Sequence, residues 1–262
     1  MKQKIQIRCK NNKKSQKVEI GSTLFDVFSS FDLKMTHGPV SARVNNKVEG
    51  MNYRVYNSKD VEFLDMNSAS GSRAYTRTLF FVLCKAVQDI YPNTDVVIDI
   101  PVSNGFYVDI RLGRPVVDED VNILRRRMQE IIDSKMPIRR FTVPTEVAIA
   151  LFQEKGDVEK VKLLRTSGSI YTTYYKIGEY VDYYYGTLLT NTSQLYLFGL
   201  EKYYDGMLLR IPSVCNPDVL GEMTRQDKMF DIFKEHHAGR IFWVSEPWRL
   251  NQAIDAGHAT DI

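Results

Sequence analysis

Residues 66–71 read MNSASG, and they constrain the fold most because the hydrophobic period changes across them. On the N-terminal side, apolar and polar residues alternate in short runs around one brief helical pattern. On the C-terminal side, residues 73–90 carry apolar side chains at helical spacing until Tyr91-Pro92, where proline forbids continuation. Small polar residues between two differently patterned blocks read as a linker. The chain is therefore expected to comprise one module at 1–65, a linker at 66–71, a second module at 72–212 and a helical tail at 213–262.

In the first module, residues 4–9 and 17–20 pair as strands across a polar turn containing Asn11, Asn12 and Ser15. Ser22 is the expected N-cap of a helix whose Leu24, Phe25, Val27 and Phe28 share one face. Residues 40–44, the turn Asn45-Asn46, Val48 and residues 60–64 complete a small mixed sheet that the helix covers. This order of elements predicts a ubiquitin-like β-grasp.

The second module opens with a long helix that turns Phe81, Val82, Cys84 and Val87 inward. A strand at 95–100 follows, then a helix capped by Asp118 that buries Val121, Leu124, Met128 and Ile131. Next come a strand at 139–143, a helix capped by Thr145 and a helical turn at 158–164. Residues 169–211 hold Tyr, Thr, Leu and Ile in short runs broken by Gly178, Gly186, Asn191 and Gly206, the pattern of antiparallel strands. The fold class is α+β. In the tail, Met229, Phe230 and Phe233 lie at helical spacing within 223–236, and 248–256 read as a second helix. A chain stopping at Ile262 without a cap predicts a missing C-terminal domain.

With 262 residues, 44% of them hydrophobic and 26% charged, the chain can bury a sizeable core, and global disorder is excluded. A formal charge of +3 from 35 basic and 32 acidic residues is too small to be a nucleic-acid footprint by itself, so any basic patch must be local. The start lacks the apolar core of a signal peptide, and no run of eighteen apolar residues follows; a cytoplasmic protein without membrane partners is expected. Cys9, Cys84 and Cys215 are odd in number and scattered, which argues for reduced thiols. Neither a GxxxxGK[ST] phosphate loop nor a GxSxG nucleophile elbow occurs. Asn104-Gly105 reads as a tight hairpin turn.

The segment VSARVNNKVEGMNYRVYNSKDVEFLD resembles the second half of a TGS domain, the module shared by threonyl-tRNA synthetases, certain GTPases and stringent-response enzymes. Further on, AVQDIYP, PVSNGFYVDI, PIRRFTVPTEVAIALFQEKG and YKIGEYVDYYYGTLLTNTSQLYLFGL resemble, in order and spacing, the editing domain of threonyl-tRNA synthetases. That domain recurs in alanyl-tRNA synthetases and freestanding deacylases. The resemblance covers roughly residues 71–211, and it implies a TGS-like β-grasp followed by an editing-like α+β domain.

In that family a helix carries His-x-x-x-His and a later segment Cys-x-x-x-His, four groups that can hold a metal or water for hydrolysing mischarged tRNA. Counting from Tyr91-Pro92 and from Val181-Asp182 places those positions at Arg77, Phe81, Tyr184 and Leu188. Guanidinium stays protonated, Phe and Leu have no lone pair, and phenol replaces thiolate poorly, so no metal and no catalytic set are expected. His37 lies in the small module and His236, His237 and His258 in the tail; adjacent histidines diverge by about 100° on a helix and make no ligand pair.

What replaces the site is open to two readings. Arg73 and Arg77 share a helix face suited to phosphate, and Tyr183, Tyr184 and Tyr185 suit base stacking, so a nucleotide or RNA end would enter a cleft also lined by Phe81 and Leu188. The bland alternative pairs Arg77 internally and uses the tyrosines as strand residues. A second candidate is a phosphate or RNA patch of Arg125, Arg126 and Arg127 joined by Arg139 and Arg140. Its alternative is a solvated face, since consecutive helical residues diverge.

A TGS module followed by this ligand-stripped domain, with GSRAYTRTLFFVL at the former histidine helix, is similar to the amino-terminal half of bacterial uridine kinase-like fusion proteins. The resemblance implies that a P-loop nucleoside kinase domain using ATP and magnesium follows and contacts this region, while this segment itself takes no cofactor. Three functions are weighed: a noncatalytic regulatory or ligand-binding region of a nucleoside kinase, a stand-alone RNA- or tRNA-binding module, and a residual aminoacyl-tRNA deacylase.

Overall fold

The computed structural model describes residues 3–213 and 215–224; the expected tail helices, with His236, His237 and His258, lie outside the described residues. The described chain forms two compact units, residues 3–139 with Gly186–Thr224, and Arg140–Tyr185.

The first unit begins with β1 (Lys4–Cys9), β2 (Ser15–Glu19), α1 (Leu24–Ser30), β3 (Ser41–Val44), β4 (Lys47–Gly50) and β5 (Lys59–Leu64). The sheet order is β2-β1-β5-β3-β4, with β1 and β5 parallel and the other pairs antiparallel. Alternation sends Ile7, Cys9, Val18, Val61 and Phe63 to one face, where Leu24 and Val27 of α1 meet them. This is the expected β-grasp. The N-cap is Thr23 rather than Ser22: its hydroxyl accepts the Asp26 N–H while the Asp26 carboxylate accepts the Thr23 N–H at 2.8 Å. Phe25 is 36% exposed, so the helix presents a narrower apolar face than its spacing predicted.

The MNSASG stretch is not a free spacer. Ser68 caps α2 (Ala69–Ile90) by accepting the Gly71 N–H at 3.0 Å. A Cβ at Gly71 would stand 1.9 Å from the Asp65 carbonyl oxygen, so only glycine lets the helix start this close to the end of β5. Phe81, Val82 and Val87 are buried as expected, while Cys84 is half-buried.

Next come β6 (Val96–Val102), β7 (Gly105–Ile110) and α3 (Asp118–Asp133); after the excursion into the second unit, β11 (Gly199–Tyr203) and β12 (Gly206–Arg210) complete a sheet in the order β11-β12-β7-β6. The β6–β7 turn is centred on Ser103-Asn104, with Val102 opposite Gly105 and φ of 52° and 54°. Two successive positive φ values are what a two-residue turn between twisted strands requires. Asp118 does not cap α3; Asp120 does the reverse half of the job, accepting the Val117 N–H at 2.9 Å.

The second unit holds β8 (Arg139–Pro144), α4 (Thr145–Glu154), α5 (Val158–Thr166), β9 (Tyr171–Ile177) and β10 (Tyr180–Tyr183), with its sheet in the order β10-β9-β8. The helices pack Ala148, Ile149, Phe152, Val161 and Leu164 with Val181. Thr145 is the first residue of α4, and its hydroxyl donates to the Ser169 carbonyl at 2.5 Å, tying the helix to the loop before β9 instead of capping. Lys160 bridges Asp157 and Asp182, both at 2.7 Å. Burial alone would push its ammonium down, but the two carboxylates more than offset this and hold it raised. Among the described residues no helix is long and apolar enough to cross a membrane.

One polar node joins α2 to α3. The buried Asp120 carboxylate accepts the Tyr91 hydroxyl at 2.6 Å and both Arg114 Nη atoms at 2.6 and 2.8 Å. The Arg114 bonds hold the carboxyl well below its ordinary range despite the opposing effect of burial. A depressed folded-state pKa contributes stability above the unfolded value of about 3.9 and loses it as pH falls through the folded value. Asp120→Asn is expected to lower unfolding free energy by about 2 kcal/mol at neutral pH. Urea titrations should show the gap between variant and wild type narrowing as pH drops below about 4.

Candidate functional site

The four positions matched to metal ligands by resemblance fall on α2, on the strap that begins at Gly186 and just beyond β10. Phe81 and Leu188 are 0% and 2% exposed. They are packed in the interior of the first unit and offer no open surface, contrary to the expectation that they line a cleft. Arg77, one turn before Phe81, is half-buried with its guanidinium over the backbone of Gly186: a Cβ there would lie 2.7 Å from Nη1 and 2.9 Å from Cζ. Gly186 also has a φ of +106°, so both backbone conformation and space call for glycine.

Two residues that the sequence reading did not single out hold the strap to the helix. Thr78 donates its hydroxyl to the Ala74 carbonyl at 2.7 Å and accepts the Leu189 N–H at 2.9 Å. The Tyr75 hydroxyl donates to the Leu197 carbonyl at 2.8 Å and accepts the N–H groups of Tyr196 and Leu197 at 3.0 and 2.9 Å. Burial raises the Tyr75 phenol well above its ordinary value, so it stays a donor at any physiological pH. The visible signal was a Thr and a Tyr on the helix stretch that also holds Arg77 and Phe81, where apolar spacing alone would call for hydrocarbon.

The remaining candidates separate. Arg73 is exposed and, among the described residues, donates to the Ser70 hydroxyl at 3.4 Å. In the second unit Tyr183 packs against the helix–sheet core and Tyr184 is half-buried, while Tyr185 is 87% exposed. Of the arginine run, Arg127 grips Asp89 at 2.9 Å and Glu130 at 2.8 Å, and Arg125 donates to Asn122 at 2.7 Å. Arg126 is exposed on its own side of α3. Arg139 and Arg140 are exposed successive residues of β8 and point to opposite faces. Within α3, pairing and divergence leave Arg125, Arg126 and Arg127 facing different directions, with Arg127 neutralised by Asp89 and Glu130.

His37 is stacked on Tyr196 at 3.7 Å, with Nε2 2.7 Å from Asp218 Oδ1. It borders a cavity of about 210 Å³ lined also by Thr36, Asp65, Met66, Asn67 and Pro217, which includes none of the four matched positions. Among the described residues no group of three or more His, Cys, Asp or Glu side chains is placed to hold a metal ion. Arg77, Phe81, Tyr184 and Leu188 do not fit a zinc site: one is a permanent cation and two are hydrocarbon.

Sequence comparison points to the same architecture. No family model matches the chain. Threonine--tRNA ligase of Azoarcus sp. (strain BH72) is 26% identical over 259 residues, covering 89% of this chain and 41% of the relative. That of Acetivibrio thermocellus is 29% identical over 181 residues, 69% of this chain and 28% of the relative. That of Syntrophotalea carbinolica is 29% identical over 223 residues, 81% and 35% respectively. The chain thus spans well under half the length of the curated relatives it matches. With the β-grasp and the α+β architecture already described, these similarities support homology to the amino-terminal region of threonyl-tRNA synthetases, its TGS-like and editing-like parts.

Gly186→Ala is expected to cost more than about 1 kcal/mol through its positive φ alone, with a further cost from the Arg77 guanidinium. In an Arg77→Ala background the second component should vanish. Chemical denaturation of the two single variants and the double variant measures that coupling.

Proposed function

We propose that this chain is a noncatalytic, cytoplasmic RNA-binding accessory region derived from the editing half of a threonyl-tRNA synthetase. Its modules at 1–65 and 72–212 keep the architecture but not the hydrolytic centre. The observation that carries the reading is the packing of Phe81 and Leu188: two positions that would have to present ligands are filled with buried hydrocarbon. RNA is the favoured partner because the similar proteins are named as tRNA ligases. The exposed Arg73 and Tyr185 remain candidate contacts for a phosphate and a base, with Arg77 behind Arg73 on the same helix.

A second reading rests on a resemblance of GSRAYTRTLFFVL to the corresponding helix of uridine kinase-like fusion proteins. In it this region precedes and contacts a P-loop domain that phosphorylates a nucleoside with ATP and magnesium. A kinase sequence encoded directly beyond Ile262 supports it; a stop codon there removes it.

Fluorescence anisotropy with unacylated tRNA should give saturable binding whose affinity falls steeply with salt. Mischarged threonine-specific tRNA should lose its amino acid no faster with the protein than in buffer. Ester turnover that disappears in Tyr184→Phe would restore the deacylase reading and defeat this one.

A further inference from the structure

The positive charge of this chain is concentrated. Seven of its first 17 residues are Lys or Arg, and no Asp or Glu precedes Glu19. Taking those seven from the 35 basic residues leaves 28 against 32 acidic ones, so the rest of the chain is net acidic. The structure gathers six of the seven on the β1–β2 hairpin: Lys4 and Arg8 on β1, Lys10, Lys13 and Lys14 in the turn, and Lys17 on β2, all exposed. Register places Gln6 opposite Lys17 and Arg8 opposite Ser15, so Lys4, Arg8 and Lys17 stand on the face away from buried Ile7, Cys9 and Val18. None of the six forms an ion pair among the described residues. Two carboxylates border them, Glu19 opposite Lys4 and Asp60 opposite Arg8 in register, too few to cancel six cations.

Two simpler explanations fall short. Lysines guard sheet edges against unwanted pairing, which accounts for Lys17 on the edge strand β2. It does not account for Lys4 and Arg8, because β1 lies inside the sheet between β2 and β5. A membrane surface would take basic residues together with inserted apolar ones, yet the hairpin itself exposes no large hydrophobic side chain, and the nearest, Ile20 just past β2, is only 36% exposed. What remains is a row of cations on a rigid ladder. Lys4 and Arg8 span about 13 Å along the strand, a length over which a nucleic-acid backbone presents several phosphates.

We infer that the outward face and turn of the β1–β2 hairpin form the docking surface for the phosphate backbone of RNA. The inference rests on the RNA-binding reading above and says where on the chain the backbone lies. It also gives the small β-grasp module a task separate from that of the editing-like module, which lost its chemistry.

The test compares the whole chain with the triple variant Lys10→Gln, Lys14→Gln, Lys17→Gln and a control of equal charge, Lys34→Gln, Lys135→Gln, Arg165→Gln, in tRNA titrations at several salt concentrations. Each lost phosphate contact flattens the slope of log K against log salt by about 0.7. The triple variant should therefore lose about 2 units of slope and at least about tenfold in affinity at low salt. The control should keep the wild-type slope. Equal loss in both, or no loss in the hairpin variant, overturns the inference while leaving RNA binding standing. Failure of the wild type to bind tRNA defeats the RNA-binding reading and this one with it. Binding to phosphatidylserine vesicles that the triple variant loses, with tRNA binding unchanged, reassigns the face to a membrane and also overturns the inference. Thermal unfolding verifies that the variants fold; if the triple variant does not, the three single variants, each expected to lose about 0.7 of slope, replace it.

Discussion

The grip of α2 on the strap from Gly186 to Leu197 organises the first unit. The strap carries the chain back from the second unit to β11 and β12, and its backbone polar groups need partners once they leave regular structure. Thr78 and Tyr75 provide them, satisfying the N–H groups of Leu189, Tyr196 and Leu197 and the carbonyl of Leu197. Each such bond contributes about 1 kcal/mol net, and leaving a buried partner unsatisfied costs more. Phe81 and Leu188 add burial worth about 1.5–3 kcal/mol each. A metal held between these same two segments would also cross-link them. Here side-chain hydrogen bonds and hydrocarbon tie the two segments together.

That substitution changes what a surviving cleft can be. A ligand site needs polar groups presented to an accessible concavity, whereas Phe81 and Leu188 are closed over. Arg77 remains half-buried, but its guanidinium is set against Gly186, where it serves backbone packing. Of the candidate residues, Arg73 in the first unit and Tyr185 in the second are exposed.

The β-grasp is legible because β1 alternates, Val61 and Phe63 of β5 fall on one face, and Leu24 and Val27 recur at helical spacing, so pattern and packing agree. The expected caps miss by one residue: Thr23 rather than Ser22 caps α1, and α3 starts from Val117, whose N–H is taken by Asp120, rather than from a capping Asp118. The small residues at 66–71 suggest a linker. Their smallness serves the opposite end, a helix start pressed against the Asp65 carbonyl at Gly71. In the site, residue identity alone shows that Arg77, Phe81 and Leu188 offer no lone pair to a zinc ion. Which side chains tie α2 to the strap is hidden, because Thr78 and Tyr75 act on backbone more than a hundred positions away.

Charge illustrates the same limit from the other side. A net charge of +3 over the whole chain conceals a strongly basic hairpin balanced by an acidic remainder. Screening acts over about 8–10 Å at physiological salt, so a polyanion responds to the hairpin and hardly to acidic groups several strands away. The β1–β2 ladder converts a sequence cluster into a surface by alternation: each cation on the outer face is backed by an apolar residue that fixes its strand in the core. The hydrophobic pattern that made the fold readable is therefore also what holds these charges in a row.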